Sequence, residues 1–131
     1  MLSRVTLAAA LAASLTFAAQ TALAGAKDYS LELVETTRPL GAGAILTVRL
    51  TDLRTGAPVE DAVTFATRMD MAPDGMATMT TPVTLLPTEA LGLYRFATHL
   101  TMAGNWRFSV AVKVQGEAET VEAELLLQAE Q

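Results

Sequence analysis

The run Asn105-Trp-Arg-Phe-Ser-Val-Ala-Val-Lys-Val114 puts an apolar side chain at every second position, namely Trp106, Phe108, Val110, Val112 and Val114. Successive side chains of a β-strand point to opposite faces, whereas a helix repeats every 3.6 residues, so this spacing predicts a strand with one face in a core and one in water. The same period extends in both directions. Upstream, Tyr94, Phe96, Thr98, Leu100 and Met102 share one face, Arg95, Ala97 and His99 share the other, and Ala103-Gly104 forms the connecting turn. Downstream, Gln115-Gly116 turns the chain into a strand with Val121, Ala123, Leu125 and Leu127 facing inward. Earlier runs repeat the pattern at Tyr29, Leu31 and Leu33, and at Leu46, Val48 and Leu50 between Ala44 and Thr51. A further strand from about Asp61 to Met71 aligns Val63, Phe65, Thr67, Met69 and Met71 on the expected core face.

Between these runs lie segments with turn chemistry: Arg38-Pro-Leu-Gly-Ala-Gly43, Asp52-Leu-Arg-Thr-Gly-Ala-Pro-Val59, Ala72-Pro-Asp-Gly75 and Pro87-Thr-Glu-Ala-Leu-Gly92. Glycine permits positive φ, and proline cannot donate to a ladder, so these segments end strands. Thr80-Thr-Pro82 likewise breaks a return strand that resumes from Val83 to Leu86. About seven short strands at this spacing predict an all-β fold, an immunoglobulin-like antiparallel β-sandwich.

The first 24 residues are read separately. Arg4 supplies a positive start, Val5 to Ala19 is almost wholly apolar, and Ala22-Leu-Ala24 fits a small-x-small cleavage site, which together predict a cleavable signal peptide. The expected mature domain is residues 25–131, exported to the periplasm, with no later segment approaching the roughly 20 apolar residues a membrane span needs. Loss of Arg4 takes the net charge from −5 to −6, a balance that disfavours nucleic acid as a partner. The chain has no Cys, so stability must come from a core, and thiolate metal sites are excluded.

Chemistry concentrates in Met69-Asp-Met-Ala-Pro-Asp-Gly-Met-Ala-Thr-Met79, which holds four of the six methionines. Thioether sulfur is soft and polarizable, so the cluster reads either as adaptable core filling or as a ligand set for a soft ion such as Cu(I). If Pro73-Asp74 is a two-residue loop, Met71 faces Met76. If Gly75 joins the loop as a bulge, Met69 faces Met79. Met76 and Met79, three apart, point to opposite faces of a regular strand. Met102, at the end of its own strand, is a further candidate. His99 is the single imidazole and a sixth candidate ligand, although its phase turns it to the outer face. Asp70 and Asp74 lack the fuller oxygen cage calcium requires and are expected to be solvated.

No catalytic constellation competes. There is no Cys, His99 has no acidic partner at a telling spacing, and neither a Gly-rich phosphate loop nor a nucleophile elbow is present, so the chain is not expected to be an enzyme. The alternative to metal binding is an accessory interaction module whose methionines form an adaptable apolar surface for a partner.

Gly92-Leu-Tyr94-Arg-Phe96, then Leu100-Thr-Met102-Ala-Gly104-Asn-Trp106-Arg-Phe-Ser-Val110, preceded by the Met-rich hairpin, resembles the YtkA-like domain, which is related to FixH. The resemblance runs from about Asp28 to Leu127. It implies a small exported β-sandwich associated with copper handling, with an exported or membrane-bound copper protein as a partner and Met69, Met71, Met76, Met79 and Met102 as the positions of interest. The chain shows no counterpart of the FixH transmembrane helix, so the resemblance bears on copper handling rather than on oxidase assembly.

Overall fold

The structure, a computed structural model, describes residues 26–131. The predicted signal peptide, residues 1–24, lies outside the described residues. Nine strands follow in order: β1 (Tyr29–Leu33), β2 (Thr37–Pro39), β3 (Gly41–Asp52), β4 (Val63–Met71), β5 (Met76–Thr81), β6 (Val83–Leu86), β7 (Leu93–Leu100), β8 (Gly104–Lys113) and β9 (Thr120–Glu130). They form two sheets, one of order β1-β3-β7-β6 and one of order β2-β9-β8-β4-β5. Among the described residues no helix is long and apolar enough to cross a membrane.

The alternation of β8 becomes a continuous ladder, paired with β9 from Gly104↔Ala129 to Lys113↔Thr120 and flanked on its other side by β4. Its inward side chains Trp106, Phe108, Val110 and Val112 meet Leu46, Val48 and Leu50 of β3 and Phe96 and Leu100 of β7 in one core. Phe96 and Phe108, one from each sheet, sit with ring centroids 5.0 Å apart and planes at 59°. That tilted packing ties the layers together across the middle. The Trp106 indole is fully enclosed and donates its N–H to the Met102 carbonyl at 3.0 Å, which satisfies its polar edge.

Three features depart from the expectation. Among the described residues the count is nine rather than about seven, because β2 is added and Pro82 divides the 76–86 stretch between sheets: β5 belongs to one layer and β6 to the other. The Thr98 hydroxyl donates to the Pro82 carbonyl at 2.9 Å and fixes that corner. The sandwich is also not wholly antiparallel, since the three-residue β2 runs parallel to β9. Its Pro39 sits on the sheet edge, where the missing N–H costs no ladder bond.

The third departure concerns β4. Val63 and Phe65, expected in the core, are each 58% exposed. The ladder with β8 shifts between Thr64 and Ala66, so Phe65 is an extra residue that reverses the phase of the strand. Thr67 is exposed as well. Past the bulge, Met69 pairs with Phe108 and the inward phase is restored.

Candidate metal centre

The register places the methionines at one end of the sandwich. Gly41, at the start of β3, pairs with Leu100 at the end of β7, and Gly104 opens β8 immediately afterwards. Met71 closes β4 at the same end, one residue beyond the Asp70↔Arg107 pair. Five methionines thus pack against one core: Met69 and Met71 with no exposure, and Met76, Met79 and Met102 half-buried.

Of the two predicted registers the hairpin takes the pairing of the first, Met71 with Met76, and not the Met69–Met79 pairing of the second. Met71 pairs with Met76 across a 3-10 turn, Ala72–Asp74, that ends at Gly75 with φ 75°. The Gly75 N–H donates to the Ala72 carbonyl at 2.9 Å, a left-handed closure that favours glycine. The next pairs are Asp70↔Thr80 and Met69↔Thr81, so Ala77, Thr78 and Met79 have no counterparts on β4. Met69 therefore faces Thr81, not Met79. Arg68 supports this wide bulge by donating from Nη2 to the Ala77 carbonyl at 2.7 Å. Because the bulge breaks the alternation, Met76 and Met79 both pack against the core instead of pointing to opposite faces.

His99 stands apart from this group. Its neighbours Thr98 and Leu100 are buried while it is exposed, which puts it on the outer face of β7. There it lines a shallow depression with Gly43, Pro82, Thr84 and Ala97.

Asp70 is not solvated, contrary to expectation, whereas Asp74 is exposed as expected but hydrogen-bonded. Asp70 is fully enclosed, accepting hydrogen bonds from Arg68 Nε at 2.8 Å, Arg107 Nη2 at 2.9 Å and the Ala72 N–H at 2.9 Å. Burial pushes its pKa up, but Arg107, the Ala72 N–H and Arg68 together outweigh burial and hold the carboxyl at about 2. Asp74 takes Asn105, with its backbone N–H at 2.8 Å and Nδ2 at 3.0 Å, and these bonds lower its pKa. Sequence reasoning missed both. Asp70 lies between two methionines with its partner Arg107 far along the chain, and Asp74 looks like an ordinary turn residue.

The donor set determines which ion would fit. Among the described residues no three or more His, Asp or Glu side chains come together to hold a metal. A hard cation, which needs several oxygens, therefore finds no cage there. Thioethers from Met76, Met79 and Met102, with Met71 and Met69 behind them, suit a soft ion of low charge and low coordination number. Asp74 lies beside Met71 at Gly104 and brings one negative charge near the group.

A separate depression of about 370 Å³ lies on the outer face of the other sheet, floored by Ala66, Ser109 and Ala111 and rimmed by Arg68, Glu122 and Glu124. Ser109 is on β8, while the chain's single imidazole is on β7 in the opposite layer, so no hydroxyl–imidazole pair forms there.

The fold and the methionine end define a class, a small immunoglobulin-like sandwich with a soft-donor cluster at one end. The YtkA-like family model matches residues 23–111, and the chain belongs to that family. Among solved structures it is similar to the Lin-41 filamin domain, with 18% identity, a TM-score of 0.50, and coverage of 80% of this chain and 94% of that one. It is also similar to the ZirS C-terminal domain, with 13% identity, a TM-score of 0.45, and coverage of 80% and 67%. At these identities the likeness speaks to the fold alone. No curated protein matches the chain.

Proposed function

We propose that this chain is a periplasmic, non-enzymatic copper-binding domain that holds Cu(I) on methionine sulfur at one end of its sandwich and serves as a chaperone or resistance factor. The observation that carries the reading is the convergence of Met71, Met76 and Met102 at one end of the two sheets, with Met79 and Met69 packed against the same core. Family membership is consistent with it, and the leader-like residues 1–24 support export. When bound, Cu(I) would supply a soft electrophilic centre for transfer to a partner copper protein. The residues that would hold it are Met76, Met79 and Met102, with Met71 as the inner donor.

The test is titration of the purified domain with Cu(I) against a competing chelator. A one-to-one complex is expected, weakened at least about tenfold by Met76→Leu or Met102→Leu, since leucine keeps apolar area but removes sulfur. Micromolar or weaker affinity, unchanged in the triple Met71→Leu, Met76→Leu, Met102→Leu variant, would sink the reading. In that event the half-burial of Met76, Met79 and Met102 favours the second function, an adaptable surface for a protein partner, which the same leucines would tolerate.

A further inference from the structure

Met69 and Met71 have no exposed surface, so an ion meets Met71 only if something over it moves. Its cover includes the hairpin tip 72–75 and the β7–β8 turn, where an added Cβ on Gly104 would lie 2.9 Å from the Met71 methyl. These two segments are tied by one carboxylate. Asp74 Oδ2 accepts the backbone N–H of Asn105 at 2.8 Å, and Oδ1 accepts from Asn105 Nδ2 at 3.0 Å. Gly104, with φ +139°, makes this possible, because the same Cβ would overlap Asp74 Oδ2. A residue without a side chain at that position lets the carboxylate reach the strand and the Met71 methyl tuck beneath it.

Resting on the copper reading above, we propose that Asp74 and Asn105 form a latch that gates access to Met71, so that the half-buried methionines engage an ion first and Met71 joins when the tip lifts. Asp74 is then a positioning residue that acts through the hairpin tip, without touching the ion. Two features make the latch the part that opens. Its donors are neutral and its bonds lie at an exposed place, whereas Asp70 beneath it is held by two guanidinium groups in a buried site. Both carboxylates are ionised acceptors, but Asp70 also has ionised donors and is buried, where such bonds are stronger than at an exposed place, so the tip yields before its base. Lifting residues 73–75 leaves the Ala72 N–H and Arg68 bonds to Asp70 and the Arg68 bond to Ala77 in place, which confines the motion.

The experiment reads access to each sulfur without copper. The folded domain is exposed to dilute hydrogen peroxide, which transfers one oxygen to a thioether and leaves water, and peptide mass spectrometry gives the rate at each methionine. In the native chain Met76, Met79 and Met102 should oxidise readily and Met69 and Met71 slowly. Asp74→Ala should raise the Met71 rate about tenfold, the effect of losing two modest hydrogen bonds, while Met69 stays protected. Asn105→Ala, which leaves its backbone N–H in place, should give a smaller rise. The latch is overturned if the Met71 rate is unchanged in both variants, or if Met69 and Met71 rise together, which would signal general loosening. Cu(I) titration of the same proteins separates the two ideas: a selective Met71 response without Cu(I) binding keeps the latch and removes the copper reading, and Cu(I) binding with an unresponsive Met71 does the reverse.

Discussion

The two ends of the sandwich are closed by different physics. At the end away from the methionines, Tyr29 of β1 donates to Glu117 Oε1 at 2.6 Å, and Arg54 Nη2 reaches the Tyr29 hydroxyl at 3.1 Å and Asp52 Oδ2 at 3.0 Å. The Arg54 guanidinium also stands 5.5 Å over the Tyr29 ring, adding a cation–π contact. Burial, followed by the bond to Glu117, pushes the Tyr29 hydroxyl up to about 12, so it remains a donor throughout the ordinary pH range. This network joins β1, the β3–β4 connection and the β8–β9 turn. At the methionine end the hairpin tip is closed by thioether packing and the Asp74–Asn105 bonds, and charge enters only beneath it, where Arg68 and Arg107 hold the buried Asp70. A charged network loses much when one member moves, whereas dispersion from unbranched methionines can be re-formed in several arrangements. The contrast assigns rigidity to one end and local opening to the other.

The largest expected effect is at Asp70, the buried anchor under the methionine hairpin. Asp70→Asn removes the carboxylate that Arg68 and Arg107 share, leaving Arg107 the looser contact with Glu124 at 3.8 Å, and should cost about 2 kcal/mol of unfolding free energy, measured by chemical denaturation. The pH dependence follows from the sign of the shift. The folded carboxyl, at about 2, lies below its ordinary 3.8, so its contribution is present above about pH 4 and is lost as pH falls toward 2. Trp106 is the only tryptophan and is fully buried, so its fluorescence reports acid unfolding. The gap in stability between the native chain and Asp70→Asn should narrow across that window; a constant gap would show that Asp70 is not held as an ionised anchor.

A smaller effect is expected at the other end. Tyr29→Phe removes the hydroxyl that Glu117 and Arg54 share and should cost about 1 kcal/mol, the usual net worth of such a hydrogen bond. Its value lies in what should not change, since the methionine oxidation pattern should match the native chain. If Tyr29→Phe exposed Met71, the two ends would be coupled and the contrast between them would fail.

The sequence made some of this legible and hid the rest for identifiable reasons. β3, β7, β8 and β9 were readable because period two runs unbroken through Leu46 to Leu50, Tyr94 to Leu100, Trp106 to Val112 and Val121 to Leu127. β4 was misphased because its bulge residue, Phe65, is apolar like its neighbours, so the insertion left no mark in the pattern. The three-residue bulge 77–79 was equally silent, since it depends on Arg68 reaching the Ala77 carbonyl. The burial of Asp70 required Arg107 from another strand, and the Asp74 link required a glycine at 104 whose role is to be absent as a side chain. β2 was missed because three residues ending in proline carry too little periodicity to announce a parallel edge.

The smallest expected effect concerns His99, the one conventional nitrogen ligand in the chain. It is exposed on the outer face of β7, while Leu100 beside it points into the core with the methionines, so the sheet itself separates the imidazole from the thioethers. His99→Ala should change Cu(I) affinity less than about twofold, within the spread of a surface substitution far from a binding group. Met102→Leu, three residues along, should weaken binding at least about tenfold on the same assay. That ratio tests the geometry sharply, because the two positions are close in sequence, yet His99 is on the outer face of β7 while Met102 lies in the turn beyond that strand, packed against the core. A tenfold loss on His99→Ala would place the ion on the outer face, beside Gly43 and Pro82, and would move the centre away from the methionine end altogether.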